Sequence, residues 1–212
     1  MKSSLLAEFL GSMFLLVIIV GSGIMGEALA HENNAIALLA NSLATGAGLF
    51  VLIQCLGPLS GAHFNPVVSL VEFLWGRLEK KRMVLYWVMQ FSGAVLGVFI
   101  AHLMFQKEIL QISQQERIGI HLWIAEIIAT FGLIATIALA AKKDPKLAPM
   151  AIALYITSAY WFTSSTSFAN PVVTFARMLT NTFCGIAPSG AIAFICAQVV
   201  GGLLAFLTLR KL

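Results

Sequence analysis

Two short segments of this chain repeat one chemical pattern, an asparagine followed by a proline and two valines. The residues concerned are Asn65, Pro66, Val67 and Val68 in the first copy and Asn170, Pro171, Val172 and Val173 in the second. One copy alone would predict only a turn or a helix N-cap. Each copy, however, follows a long apolar run and begins an apolar segment too short to cross a bilayer. We therefore interpret the two copies as the starts of two half-spanning helices that line a pore.

The residue types of this pattern suit a passage for neutral molecules. Asparagine is favoured at the N-cap and proline at the first helical position, and each amide keeps capacity to bind a passing solute. Each helix N-terminus carries about half a positive charge. Two such ends facing one point oppose a cation at ~4 Å by roughly 4 kcal/mol at an effective dielectric of ~20. That energy corresponds to a suppression of cations of roughly a thousandfold.

Two acids, Glu8 and Glu126, lie deep in long apolar runs. An intramembrane acid is by default a functional candidate, for instance a proton relay. Both acids, however, are the first element of a pattern that occurs once in each half of the chain. The pattern is an acid, then Asn-Pro-Val, then a glutamine, which is Gln90 in the first half and Gln198 in the second. This repetition favours a structural role, in which each carboxylate accepts hydrogen bonds from the backbone of a re-entrant loop.

The composition indicates a single membrane domain. Of the 212 residues, 59% are hydrophobic and only 10% are charged, and the mean hydropathy is +0.92, far from the charged surface of a soluble domain. The net charge of +4 does not indicate nucleic acid binding, because the basic residues lie at the ends of apolar runs. The cysteines Cys55, Cys184 and Cys196 show no metal or disulfide spacing, and we interpret them as buried thiols.

Six apolar runs are long enough to span a bilayer. They cover residues 4–25, 35–56, 83–105, 121–141, 147–165 and 186–207. An even number of spans places both termini on one side, and ten of the 13 basic residues then share that side. By the positive-inside rule we expect it to be the cytoplasmic side of the cell's inner (plasma) membrane. The first run could be read as a signal peptide, but its length, Glu8 and the later copy of its pattern favour retention.

Between these spans, residues 64–75 and 168–179 are too short to cross, so each is expected to dip in as a helix of about 15 Å and return. The sequence thus predicts an all-α membrane protein with six spans and two re-entrant half-helices. All 212 residues form one channel domain, with repeats at approximately 1–110 and 118–212. Three spans are an odd number, so the second repeat is inserted upside down relative to the first.

These residues resemble the aquaporin family of major intrinsic proteins, and the resemblance covers nearly the whole chain. It is carried by AEFLG at residues 7–11, SGAHFNPV at 60–67, YWVMQ at 86–90 and their counterparts in the second half. The resemblance implies six tilted spans, two half-helices around one pore per subunit, and a homotetramer. Both boxes end in valine, Val67 and Val172, where the family usually has alanine.

A larger departure concerns the narrow outer filter that the resemblance implies. Family members usually place an arginine directly after the second box, where this chain has Val173. Counting through ungapped flanks assigns the other filter positions to Thr45, Ser158 and Ser167, all small residues. We expect a wider, uncharged constriction. Arg177, one helical turn beyond Val173, could swing towards the mouth, but a basic residue near a helix C-terminus is ordinarily a partner of the helix dipole.

His63, just before the first box, is either a hydrogen-bond donor lining the inner vestibule or a residue of helix contacts. The run from Asn170 to Arg177 resembles a bacterial branch of the family that lacks the filter arginine. The resemblance implies passage of water, glycerol and neutral metalloid hydroxides such as arsenous acid.

We therefore expect a passive channel for small uncharged polar solutes in the lipid bilayer, without enzyme activity, cofactor, metal ion or nucleic acid partner. The nearest alternative is a general water and glycerol facilitator without a metalloid role. An ion-coupled secondary transporter also combines inverted repeats with broken helices, but the charge-poor interior disfavours it. A membrane enzyme is least supported, because no spaced acid pair, metal-ligand cluster or activated nucleophile is visible.

Overall fold

The structure, a computed structural model, describes residues 2–210, and the regular elements within that range are all helices. Six are long: α1 (Lys2–Leu29), α2 (Asn34–Ser60), α4 (Lys80–Met104), α5 (Ile120–Lys143), α6 (Ala148–Phe162) and α8 (Pro188–Leu209). Two are short: α3 (Pro66–Leu74) and α7 (Pro171–Arg177). The predicted fold class, six long helices and two half-helices in this order, is confirmed.

Five of the long helices have the length and apolar composition needed to cross a bilayer, so the chain is an integral membrane protein. The exception is α6, with 15 residues. It measures about 22 Å at ~1.5 Å per residue, against a hydrocarbon core of about 30 Å. The helix is therefore shorter than the span predicted over residues 147–165. The helix ends at Phe162, and the chain continues through Thr163 in an extended conformation.

The two halves pack in the same way. Helix α1 packs against α2 and α4, just as α5 packs against α6 and α8, and α2 meets α6 between the halves. The half-helices cross over, because α3 touches α8 as well as α4, and α7 touches α4 as well as α8. Each half-helix therefore joins the two repeats at the centre of the molecule.

The two ends of the bundle are defined by their contacts. At the end that we call the terminus end, Arg82 on α4 donates to Ser4 on α1 over 3.3 Å. At the opposite end, the loop end, the amide of Ser113 donates to the carbonyl of Met178 over 2.9 Å. Helix α3 runs from the centre towards the terminus end and α7 towards the loop end, which is the inversion that the sequence predicts.

Two glycines allow the long helices of each half to approach closely. A Cβ atom at Gly93 on α4 would overlap the carbonyl oxygen of Phe9 on α1. A Cβ atom at Gly201 on α8 would likewise overlap the carbonyl oxygen of Ile127 on α5. In lipid the hydrophobic effect does not drive helices together, so their association depends on close packing. Small residues at such crossings allow that packing.

The Gly93→Val variant is expected to lose most of its folded, monodisperse protein, because a backbone carbonyl cannot move aside as a side chain can. Overpacking of this kind costs about 1–3 kcal/mol or more. Size-exclusion chromatography and thermal unfolding in detergent measure the effect. Ser92→Val, at the exposed neighbouring position on α4, is the control. Equal melting of the two variants would contradict this account of the crossing.

The three cysteines are free thiols, but the expectation that all are buried is wrong. Cys184 is buried, whereas Cys55 and Cys196 are exposed on the protein surface. Cys55 lies on α2 and Cys196 on α8. An apolar run can present a thiol to lipid as readily as to protein, which hydropathy alone does not distinguish.

Candidate pore

The asparagine of each box caps a half-helix. Asn65 has an extended backbone, and its Oδ1 accepts a hydrogen bond from the amide of Val67 over 2.9 Å. The Oδ1 of Asn170 accepts from the amide of Val172 over 3.0 Å. Pro66 and Pro171 follow at the first helical position, where a missing N–H leaves no helical hydrogen bond unmade.

The two boxes also bind each other. The Nδ2 of Asn65 donates to the carbonyl of Ala169 over 2.8 Å, and the Nδ2 of Asn170 donates to the carbonyl of Phe64 over 2.8 Å. The two half-helix starts therefore meet at the centre, although 104 and 106 residues separate the bonded pairs. Each amide group has two N–H donors, so one remains for a solute. Both asparagines line the same cavity.

Glu8 lies behind the first loop and has no solvent exposure. Its Oε1 accepts hydrogen bonds from the Ser60 hydroxyl over 2.6 Å and the His63 amide over 2.9 Å. Its Oε2 accepts from the Phe64 amide and from the Nε2 of Gln90, each over 2.8 Å. One carboxylate therefore fixes the non-helical backbone that leads into the first box.

Glu126 holds the second loop in the same way. Its Oε1 accepts from the Ser165 hydroxyl over 2.6 Å and the Phe168 amide over 2.9 Å. Its Oε2 accepts from the Ala169 amide over 2.8 Å and from the Nε2 of Gln198 over 2.6 Å. The four donors are those of the first loop, position for position, so both carboxylates serve one structural device.

The loops held by these carboxylates have an unusual backbone. Ala62 and Ser167 have φ of 51° and 49°, and Phe64 and Ala169 have φ of 46° and 48°. A left-handed conformation is uncommon for residues with a Cβ atom and is retained only where surrounding contacts enforce it. The sequence did not predict it, because glycine, the usual signal for such a conformation, is absent at these four positions.

A cavity of about 70 Å³ runs past both boxes. Its polar lining comes from Thr45, His63, Asn65, Tyr160, Ser167, Asn170 and Arg177. Its apolar lining includes Ile19, Leu49, Ile53, Leu133, Ile152, Ile156 and Val173. Among the lining residues there is no Asp or Glu. A lining that combines hydrogen-bonding groups with apolar side chains suits a neutral molecule that carries hydroxyls on an apolar skeleton.

Of the four positions assigned to the filter, three lie at this cavity and one does not. Thr45, Ser167 and Val173 belong to its lining. The assignment of Ser158 is wrong, because its side chain is exposed and its hydroxyl donates to the carbonyl of Tyr155 on its own helix. Ile156 faces the cavity instead. Two residues correspond to about 200° around a helix, so Ser158 lies on the opposite face of α6.

This correction predicts different effects of one substitution at neighbouring positions. Ile156→Phe is expected to lower the glycerol flux about fivefold, because ~1 kcal/mol of overpacking at the cavity adds to the barrier. Ser158→Phe, on the exposed face, is expected to leave the flux unchanged. Stopped-flow measurements on reconstituted vesicles compare the two. A larger effect at Ser158 than at Ile156 would restore the original assignment.

His63 and Arg177 both belong to the cavity lining. The Nδ1 of His63 is 3.0 Å from the Ser69 hydroxyl, and its ring packs edge-on against Tyr86 with centroids 5.3 Å apart. Arg177 is 2% exposed and lines the cavity, so the expectation of an uncharged constriction is wrong, and Arg177 does not have the expected helix-end role. The sequence does contain a signal for this placement of Arg177. Helical side chains lean towards the N-terminus of their helix, and a long side chain covers the preceding turn.

Comparison with known proteins supports the reading of this geometry. The profile of the family described as "Major intrinsic protein" matches residues 1–169. The chain is 48% identical over 206 residues to the aquaglyceroporin AqpS of Rhizobium meliloti (strain 1021), covering 97% of this chain and 88% of that protein. It is 33% identical over 164 residues to aquaporin TIP1-1 of Arabidopsis thaliana, covering 71% of this chain and 64% of that protein.

The fold also matches a solved structure. The X-ray structure of the aquaglyceroporin from Plasmodium falciparum superposes with a TM-score of 0.75, covering 100% of this chain and 96% of that one, at 17% sequence identity. At that identity the match speaks for the fold alone. Together with the opposed half-helices and their paired asparagines, the sequence matches show that this chain belongs to the major intrinsic protein family.

Proposed function

We propose that this protein is a passive channel for small uncharged polar solutes, with water, glycerol and neutral metalloid hydroxides such as arsenous acid as permeants. The observation that carries the proposal is the meeting of the two boxes at one cavity. Asn65 and Asn170 each donate one amide N–H to a carbonyl of the opposite loop, and the second N–H of each amide remains available to a solute. A solute oxygen that passes the centre meets these two donors in a lining that is otherwise largely apolar.

Electrostatics accounts for the preference for neutral solutes. The N-termini of α3 and α7 both point at the centre, and no carboxylate lines the cavity to offset their partial positive charge. A cation would lose its hydration shell there without gaining a carboxylate to balance its charge. Water and polyols exchange solvent hydrogen bonds for those of the asparagines, so their crossing needs no energy source.

The short side chains at the positions assigned to the outer filter support passage of solutes larger than water. Val173 stands where the family usually has arginine, and Thr45 and Ser167 are short side chains beside it. The relative AqpS bears the name aquaglyceroporin, which agrees with glycerol as a permeant. Arsenous acid presents three hydroxyls and is uncharged at neutral pH, so the same mixed lining of hydrogen-bonding and apolar groups suits it.

Uptake assays test this proposal. Proteoliposomes and protein-free liposomes are compared for water efflux, glycerol re-swelling and arsenous acid uptake measured by elemental mass spectrometry. We expect all three rates to rise in proteoliposomes, without a proton or sodium gradient. Arsenous acid uptake equal to that of empty liposomes would leave a water and glycerol facilitator. Flux that requires an ion gradient would indicate a coupled transporter instead.

We also propose an orientation and an assembly. Arg77, Lys142 and Arg210 line a surface pocket at the terminus end, separate from the pore cavity, which supports placing that end on the cytoplasmic side of the cell's inner membrane. The residues assigned above to the filter, the boxes and the loop supports all lie within one chain, so each subunit would hold its own pore. Family resemblance suggests a homotetramer, and mass photometry in detergent would count the subunits.

A further inference from the structure

The loop end of the cavity holds two arginines around one phenylalanine ring. The Cζ of Arg177 lies 3.4 Å from the centroid of Phe168, and the Cζ of Arg117 lies 5.3 Å from it. The Nε of Arg177 donates to the carbonyl of Cys184, and the Nε of Arg117 donates to the next carbonyl, that of Gly185, over 3.0 Å. The aromatic ring and the two carbonyls fix both guanidinium groups in place.

Neither guanidinium is paired with an acid. In the part of the chain that the structure describes, the one salt bridge joins Arg77 and Glu72 at the terminus end. Burial, and secondly the charge of Arg177, lower the pKa of Arg117 to about 10. Arg117 lies in the loop between α4 and α5 and stays charged at neutral pH. The loop end of the cavity therefore carries two positive charges without an ion-pair partner among the described residues, and the carboxylate of Glu126 acts on both only from a distance.

Arg177 has hydrogen-bonding capacity that the fold does not use. Its Nε is bound to Cys184, but between residues 2 and 210 its two Nη groups have no hydrogen-bond acceptor. The hydroxyl of Ser167, which lines the same cavity, is buried and also lacks a partner in that range. Buried polar groups without a partner are rare. Of these groups only the Ser167 hydroxyl is fully buried, whereas the Nη groups of Arg177 belong to a side chain that lines the cavity, where a solute can reach them.

The geometry also places Arg177 close to position 173, where the family usually has the filter arginine. It lies four positions after Val173, a rise of about 6 Å along α7. Its side chain leans back towards the start of the helix, and its stacking on Phe168, which precedes the box, shows how far back it reaches. The guanidinium group therefore returns towards the level of Val173.

We propose that Arg177 is the selectivity residue of the outer mouth, donating hydrogen bonds to solute oxygens and repelling cations in place of an arginine at position 173. This inference rests on the proposed channel function. It defines the solutes further: they are uncharged and carry oxygens that accept hydrogen bonds, as polyols and hydroxides do. Small cations such as methylammonium, which only donate, are turned away.

The test compares the ratio of methylammonium to glycerol permeability in proteoliposomes of the wild type, Arg177→Met and Arg177→Lys. A ratio measured on one preparation does not depend on how much protein has folded. Removing one charge at ~10 Å with an effective dielectric of ~20 corresponds to roughly a tenfold change. We expect the ratio to rise about tenfold in Arg177→Met and to stay within about threefold in Arg177→Lys. Arg77→Met, on the exposed terminus end, is the matched control and should not change it.

Two outcomes would count against the inference in different ways. A ratio in Arg177→Met within about twofold of the wild type, with glycerol flux present, overturns the role of Arg177 and leaves the channel function intact. Wild-type vesicles without glycerol flux refute the channel function itself. If Arg177→Met does not reconstitute, Arg177→Gln, which keeps a donor for the Cys184 carbonyl, decides by the same criterion.

Discussion

The Glu126→Ala variant is expected to lose both folded protein and glycerol flux. The substitution removes four hydrogen-bond acceptor contacts at once and leaves buried donors of the second loop unpaired. Each unpaired buried donor costs about 1–3 kcal/mol. Their sum reaches the net stability of a typical protein, about 5–15 kcal/mol. Thermal unfolding in detergent, together with flux per reconstituted protein, measures the effect.

Two controls separate the loop-supporting role from other roles of this acid. Glu108→Ala removes an exposed acid at the loop end and should change neither quantity. Glu126→Gln keeps one carbonyl oxygen but turns an amide group towards the remaining donors, so we expect an intermediate melting temperature. If Glu126→Ala melted like the wild type and lost only its flux, the carboxylate would act in transport, as a proton relay would.

The Val173→Arg variant is expected to pass glycerol about 30-fold more slowly, while water flux falls much less. Val173 is 3% exposed and faces the cavity beside Thr45 and Ser167. A long charged side chain there narrows the passage and places a second cation one turn from Arg177. About 2 kcal/mol of steric cost to the larger solute gives the expected factor. Stopped-flow light scattering measures both solutes on the same vesicles.

Val173→Met separates size from charge at this position, because it lengthens the side chain without charging it. We expect it to reduce glycerol flux less than Val173→Arg does. Glycerol permeation of Val173→Arg equal to that of the wild type would show that Val173 is not at the constriction. A proportional loss of water and glycerol would indicate damage to folding rather than filtering.

The centre of the pore could be predicted because each of its requirements leaves a residue in the sequence. A half-helix that starts in mid-membrane needs a cap and a proline without an N–H, and these are Asn65 with Pro66 and Asn170 with Pro171. Irregular backbone in a membrane needs buried acceptors, and Glu8 and Glu126 supply them. Because these landmarks recur in one order, the inverted architecture followed from counting spans.

The outer mouth was harder to predict, since it depends on details that spacing does not carry. Counting through ungapped flanks assumed no insertion or deletion relative to the family before α6. The count was wrong by two residues, so it selected Ser158 on the exposed face in place of Ile156 at the cavity. The role of Arg177 depends on Phe168 and on the carbonyl of Cys184, which come from separate segments. The left-handed backbone of the loops had no signal, because alanine, phenylalanine and serine occupy those positions.

The most direct test of the central claim is a paired measurement of glycerol flux and ion conductance on vesicles from one reconstitution of the wild-type protein. Two half-helices that meet at Asn65 and Asn170, with no carboxylate in the cavity, predict glycerol re-swelling well above that of protein-free vesicles and no added proton or potassium conductance. Glycerol flux equal to that of protein-free vesicles, or glycerol flux accompanied by ion conductance, would contradict the account.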